Sequence, residues 1–413
     1  MQVTASDRDA LRRLGDELAE IARLPEQQEI IGLWKALNSL KPVRPMVIID
    51  QMPWNEMEIN GELTLQCEHP FCRALETQLR RSLYRWKHAP GDLAIQPEIV
   101  VSKVIRNSGY GIEVQERTSA LDIGNDVVGH YYVEQIKTDA DIEKIHAPEV
   151  SLDTSATAEC EEAAHEIFDD VLNVRMQGML PWLGPWDTIV QWCGVEGTLF
   201  DLSDRPEFMH RLVERLVDAY LAMLESAEEQ GLLGHGQNEV HCTGAWTDEL
   251  PAPGFDPERH RTQDLWTFGM AQIFSSVSPA MFDEFEVPYM QRIYSRFGLG
   301  YYGCCDPLDD RIDLVRKIPN VRKISMSPWV NQERGARQIG PDYVFSRKPS
   351  PALLATDRFS PSAVEEDLRE TIRVCKEHGC PLELILKDIS TVRYEPQRLT
   401  EWDSIARRLV NES

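Results

Sequence analysis

Apolar and polar positions in "SAVEEDLRETIRVCKEHG" recur at helical spacing, with Val364, Leu368, Ile372 and Cys375 on one face and Gly379 stopping the run. Ser362 and Glu365 stand at capping-box spacing at its start. A longer amphipathic run extends from Pro206 to Gln230: Phe208, Leu212, Leu216, Tyr220 and Leu224 form its stripe, and Gly231 ends it. Between such helices lie short apolar runs that turn polar at their ends. In the C-terminal half they are "LGYYGCCDP", "VRKISMSPW", "DYVFSRKPS" and "LELILKDIS", each followed by a helical pattern. Earlier strand candidates are "RPMVIIDQ", "AIQPEIVVSKVI", "IVQWCG", "GHGQNEVH" and "AQIFSSV".

Strands alternating with helices predict a parallel α/β fold. About eight units, with no GxGxxG or GxxxxGK[ST] fingerprint, favour a (β/α)8 TIM barrel over a doubly wound sheet. The polar start of the chain predicts extra N-terminal helices over residues 1–44, packed outside a barrel that spans residues 45–413.

Composition narrows the function. Of 413 residues, 43 are Lys or Arg and 68 are Asp or Glu, giving a net charge of −25. That charge repels polyanions and argues against nucleic acid as a partner. No apolar run reaches the roughly 20 residues of a membrane helix, and the N-terminus has no apolar secretory core, so no membrane partner and a cytoplasmic location are expected. The nine cysteines (67, 72, 160, 193, 242, 304, 305, 375 and 380) are odd in number and lack a C-x-x-C pair, which predicts reduced thiols. Adjacent cysteines such as Cys304 and Cys305 rarely bond to each other, because the small ring they would close is strained.

Catalytic groups of a barrel stand where strands end. The residues placed there by the pattern are Glu98, Asn238, Glu239, His241, Gln272, Cys304, Cys305, Asp306, Trp329, Arg347, Lys348, Lys387 and Asp388.

The segments "PWDTIVQWCGVEGTLFDLSDRPEFMHRLVERLVDAYL", "SPAMFDEFEVPYMQRIYSRFG" and "SMSPWVNQERGARQIGPDYVFSRKPSPALL" resemble the uroporphyrinogen decarboxylase-like superfamily over roughly residues 43–410. That group includes tetrapyrrole decarboxylases and zinc-dependent corrinoid methyltransferases. The decarboxylases' arginine-bearing "R-Q-A-G-R" is matched here by "IIDQMPWNEM", which has no arginine, and their late "G-H-G" by "LKDIS". The methyltransferases' "H-x-C-G" is matched by "Y-G-C-C", residues 302–305, so Cys304 aligns with a zinc-binding cysteine and Tyr302 with a histidine.

The resemblance implies a methyltransferase of a corrinoid-dependent demethylation system. It would move a methyl group between a small methylated substrate and a corrinoid carried by a partner protein, with zinc as Lewis acid. Cys304, Cys305 and His241 are the candidate metal ligands. Glu98, Glu239, Lys387 and Asp388 are the candidate catalytic groups, and Asn238, Gln272, Tyr302, Asp306, Trp329 and Arg347 the candidate substrate contacts. Two alternatives stay open: a metal-free decarboxylase or lyase acting on a tetrapyrrole-like or small carboxylic acid, and a non-catalytic binding barrel. A homodimer is expected by analogy only.

Overall fold

The computed structural model describes residues 3–119, 128–257 and 259–413. Eight short parallel strands carry the architecture: β1 (Met46–Ile49), β2 (Glu98–Ser102), β3 (Asn173–Gln177), β4 (Trp266–Gly269), β5 (Leu299–Tyr302), β6 (Val321–Met326), β7 (Val344–Arg347) and β8 (Leu382–Leu386). Six form one parallel sheet in the order β1-β8-β7-β6-β5-β4, and β2 pairs in parallel with β3. Each parallel ladder among these eight joins strands consecutive in chain order, except that the first pairs with the last. Among the described residues no ladder joins β1 to β2 or β3 to β4. Beyond β3, a parallel bridge pairs Met179 with Leu233.

Strands buried on both faces read as continuous apolar runs rather than as alternating ones. Alternation still sorts their side chains. Met46, Ile48, Trp266, Phe268, Leu299, Tyr301, Val344 and Ile385 pack together on one face. Val47, Ile49, Tyr302, Ile324, Phe345, Leu384 and Leu386 join the helix layer on the other. Two further elements enter the first, inner cluster. Helix α1 (Pro25–Asn38) contributes Trp34 and Leu37, and the tight hairpin pairing Glu239–Val240 with Thr243–Gly244 contributes Val240. The N-terminal region thus fills the inner face of the sheet as well as packing outside it. The preceding helix, Ala5–Ala22, lies outside, against Pro70–His88 and the outer side of β2.

Several elements differ from the sequence reading. "IVQWCG" is the end of a helix, Pro185–Cys193: Pro185 opens it and Gly194, at φ 70°, ends it, so its β-branched residues sit on a helical face. "AQIFSSV" forms a 3-10 turn, Gln272–Ser276, and the strand lies just before it as β4. "NVRMQ", which carries polar residues on both faces, is strand β3. The long helix runs Pro206–Glu229, as its stripe predicts.

Helix α2 (Pro361–His378) is capped by Ser360, whose hydroxyl accepts from the Ala363 amide, and not by Ser362; Pro361 fits the first turn and moves the cap one position upstream of it. Ser360→Ala should cost about 1 kcal/mol in denaturant unfolding, whereas Ser362→Ala should leave the midpoint within error. No helix among the described residues is long and apolar enough to cross a membrane.

Candidate active site around Cys304

Strand β5 delivers Cys304 to the end of the sheet through Gly303, whose φ of 91° and lack of a Cβ are both required, because a side chain there would strike Leu308. The turn is closed by Asp306, whose Oδ1 accepts from the Cys304 amide at 2.8 Å. Cys304 is 5% exposed, and its carbonyl oxygen accepts from Ser325 Oγ at 2.6 Å and from Lys348 Nζ at 2.9 Å. Lys387 Nζ reaches the Cys304 sulfur at 3.4 Å. Both lysines are buried, one residue beyond the ends of β7 and β8.

The neighbouring thiol completes the surroundings. Cys305 Sγ lies 3.7 Å from Cys304 Sγ and 3.3 Å from Asp388 Oδ2. The two sulfurs are pushed in opposite directions. Hydrogen bonding from Cys305 holds Cys304 far below the ordinary thiol range, helped by His241 and the charge of Lys348 and opposed by burial. The same hydrogen bond, burial and the negative charges of Cys304 and Asp388 raise Cys305. The arrangement thus favours the ionised form at Cys304 and the protonated form at Cys305, whose thiol also lies within reach of the Asp388 carboxylate. Burial alone would lower Lys387, but the charges of Cys304, Cys242 and Asp388 overturn that and raise it. Lys348 is lowered, chiefly by burial, with Cys304 opposing.

His241 arrives from inside. It and Cys242 are the two central residues of the inserted hairpin, at φ 42° and 67°. A two-residue hairpin turn with both φ positive is normally built from Asn and Gly. Two ordinary side chains there store strain, a frequent mark of functional positions. The hairpin is anchored by Thr243 Oγ1 to Glu383 Oε2 at 2.7 Å and by Lys323 Nζ to the Gly244 carbonyl at 2.9 Å. The His241 ring stacks on Phe268 at 3.8 Å, and its Nε2 meets Lys348 Nζ at 3.2 Å. Burial and Lys348 hold it down to about 3, so it is neutral and accepts from the ammonium.

Two buried carboxyls, Asp306 and Glu286, and a half-buried one, Asp187, stand behind the turn. Asp306 and Glu286 are raised by burial, and each has one oxygen without a hydrogen-bond partner. Asp187, in the first turn of Pro185–Cys193, accepts from the Gln272 amide at 3.0 Å and is pushed up to about 7 by burial, with Asp306 and Cys304 adding to the rise. Asp187 is absent from the sequence candidates, because it sits on a helix that the pattern reads as a strand.

The other candidates divide. Lys387, Asp388, Asp306, Cys305 and His241 surround Cys304, and Gln272 holds Asp187. Two expected strand-end positions, Glu98 and Arg347, and one expected substrate contact, Tyr302, lie elsewhere. Glu98 is the first residue of β2, at its opposite end, held by Arg175 through two contacts of 3.0 and 2.9 Å and by Asn238 at 3.3 Å. Tyr302 faces the helix layer, donating to Glu286 at 2.8 Å. Arg347 also points outward, to Asp367 at 3.3 Å and two carbonyls, because alternation along β7 turns the next residue, Lys348, inward. Trp329 is 76% exposed in the loop after β6. Glu239 is exposed and lines a cavity that His241 also borders.

The two sulfurs are close enough to share a soft cation. The third expected ligand, His241, has its Nε2 engaged by Lys348, and among the described residues no three His, Cys, Asp or Glu side chains converge on a metal position. Lys348 and Lys387 supply positive charge beside the sulfur where a dication would otherwise do so. As arranged, these residues do not complete a zinc site.

Fold and site together define a mixed α/β protein with a six-stranded parallel sheet and a buried cysteine beside two lysines at its strand ends. In structure the chain is similar to a methyltransferase from Methanosarcina mazei, at 10% identity and a TM-score of 0.52, over 92% of this chain and 98% of that one. At that identity the likeness is one of fold. No family model and no curated protein matches the sequence.

Proposed function

We propose that the protein is a methyltransferase whose Cys304 thiolate is the methyl-accepting nucleophile. One observation carries the reading: the buried Cys304 sulfur lies 3.4 Å from Lys387 Nζ and 3.7 Å from Cys305 Sγ, while Lys348 Nζ sits on the carbonyl oxygen of the same residue. The ring-like strand order, with β1 beside β8, supports the (β/α)8 barrel, which puts these groups at its mouth. In the step proposed, an S–CH3 bond forms as the bond from the methyl carbon to its donor atom breaks, and the donor leaves with the electron pair. Low basicity costs the sulfur some nucleophilicity but makes it a better leaving group in a second transfer. The lysines, His241 and Cys305 are positioned to stabilise the thiolate that returns. Asp187, near neutral titration, is the group available to protonate a leaving amine or alkoxide.

The second reactant in this reading is a corrinoid carrier protein, as the family resemblance suggests; its cobalt, when bound, exchanges methyl groups with nucleophiles. A zinc-bound thiolate would do related chemistry, but it would require Lys348 to give up His241.

Incubation of the full chain with methylcobalamin should place one methyl group on the peptide containing Cys304, read by mass spectrometry, and release cob(I)alamin or its oxidised form. Cys304→Ser should abolish both, and Cys305→Ser should only slow them. Turnover without methylation of Cys304, or about one zinc per chain that is lost in Cys304→Ser, would overturn the nucleophile assignment.

A further inference from the structure

A cavity of about 310 Å³ opens beside the hairpin, between the segment that follows β3 and strand β4. Its lining includes Trp182, Trp266, Phe268, His241, Gln237 and Glu239. Trp182 is 51% exposed and tilts against Phe268 at a centroid distance of 5.1 Å, so it stands at the entrance with much of its ring uncovered. Phe268 in turn stacks on His241, the residue that touches the lysine and thiolate cluster. Glu239 supplies the only carboxylate of this lining. Its side chain makes no hydrogen bond or ion pair among the described residues. Arg85 acts on it from a distance, and Asp50 opposes Arg85. A solvent-accessible carboxylate without a protein partner, beside a wall of aromatic rings, is a countercharge available to a cation.

We propose that this cavity binds a methylated ammonium cation. Aromatic faces attract cations whose charge is spread over methyl groups and which have few hydrogen bonds to lose on leaving water. Glu239 supplies the full countercharge. The surrounding net charge of −25 draws cations towards the protein. Potassium or ammonium would forfeit hydration that rings cannot replace, and a neutral isostere would leave Glu239 unpaired.

This inference rests on the methyltransferase reading and narrows its substrate class. It also accounts for product release. Transfer of a methyl group from a quaternary ammonium to a thiolate leaves a neutral amine and a neutral thioether, so the attraction to Glu239 is lost when the reaction is complete. His241 lines the cavity and also belongs to the cluster around Cys304, which connects the two.

Calorimetric titration of the full chain with tetramethylammonium tests the proposal without needing turnover. One saturable site per chain is expected, weakened tenfold or more by Glu239→Gln and by Trp182→Ala, and unchanged in Cys304→Ser. Ammonium and neopentanol should not compete. Absence of saturable binding, equal binding of neopentanol, or binding that both cavity variants leave intact would overturn it. Methylcobalamin-dependent methylation of Cys304 in a protein that ignores tetramethylammonium would sink the substrate class alone. Specific binding without any methylation would sink the transfer reading and leave a methylammonium-binding cavity.

Discussion

A Lys348→Met/Lys387→Met double variant is expected to raise Cys304 towards the ordinary thiol range, with the Cys305 hydrogen bond, the largest cause of the lowering, left in place. An opposite charge within about 4–6 Å shifts a pKa by roughly 1–3 units, and two such charges are removed here, while burial continues to disfavour the anion. The ultraviolet absorbance of the thiolate, taken as the difference between each protein and its Cys304→Ser counterpart, reads this directly. In the wild type the signal should persist from neutral pH down to the lowest pH at which the fold survives. In the double variant a midpoint should enter the neutral or alkaline range, and methylation by methylcobalamin should fall with the thiolate fraction. Each single variant should fall between the two.

The sign of the linked stability follows. The native sulfur is held below the ordinary value of 9.0, so the unfolded chain binds the extra proton. Cys304's contribution is therefore complete above the unfolded pKa and is lost as pH falls towards the native one. Wild type minus Cys304→Ser stability should climb by about 1.4 kcal/mol per pH unit between about pH 6 and 9. A flat difference, or a wild-type midpoint near 8.5, would show that the lysines do not hold the charge.

Much of this was legible in the sequence because parallel strands end where their apolar runs become polar. "LGYYGCCDP" and "LELILKDIS" each place a chemical group one or two residues beyond a strand, and the structure brings those two ends together through Lys387 and Cys304. Period-two alternation decides which residue of a pair faces inward, and a four-residue apolar strand gives no polar side from which to count. Hence Arg347 and Lys348 were both expected at the strand end, and only Lys348 turns inward. Glu98 failed for a related reason: "QPEIVV" shows a carboxylate beside a strand without showing which end of the strand it occupies.

Local pattern could not reveal the inserted hairpin at all. Its turn carries His and Cys where the geometry favours Asn and Gly, and its anchors, Lys323 and Glu383, are charged residues inside strands that read as solvent-facing. Asp187 was hidden by the β-branched "TIV" that follows it in a helix.

Those anchors give the largest expected loss of stability. Lys323 and Glu383 are both wholly buried, 2.7 Å apart, with Thr243 Oγ1 on the same carboxylate oxygen and the Lys323 ammonium 5.1 Å over the Trp34 ring. A buried ion pair is weak evidence of net stabilisation, but removing one member leaves an uncompensated charge and costs about 3–5 kcal/mol. Lys323→Met should therefore lower the unfolding free energy by about that amount, which is a large share of the roughly 5–15 kcal/mol of a typical domain. Lys323→Met/Glu383→Gln removes both charges and should recover most of the loss, which separates charge imbalance from poor packing.

The same lysine donates to Gly244 at 2.9 Å, so the single variant also releases the strand that holds His241 in its left-handed turn. His241 contributes to keeping Cys304 ionised, and the thiolate absorbance of Lys323→Met should therefore fall even under conditions where the chain is still folded. A variant that loses less than about 1 kcal/mol and keeps its full thiolate signal would mean that the hairpin is held by its apolar contacts, Val240 and Ala245, and that the buried pair has no part in presenting His241.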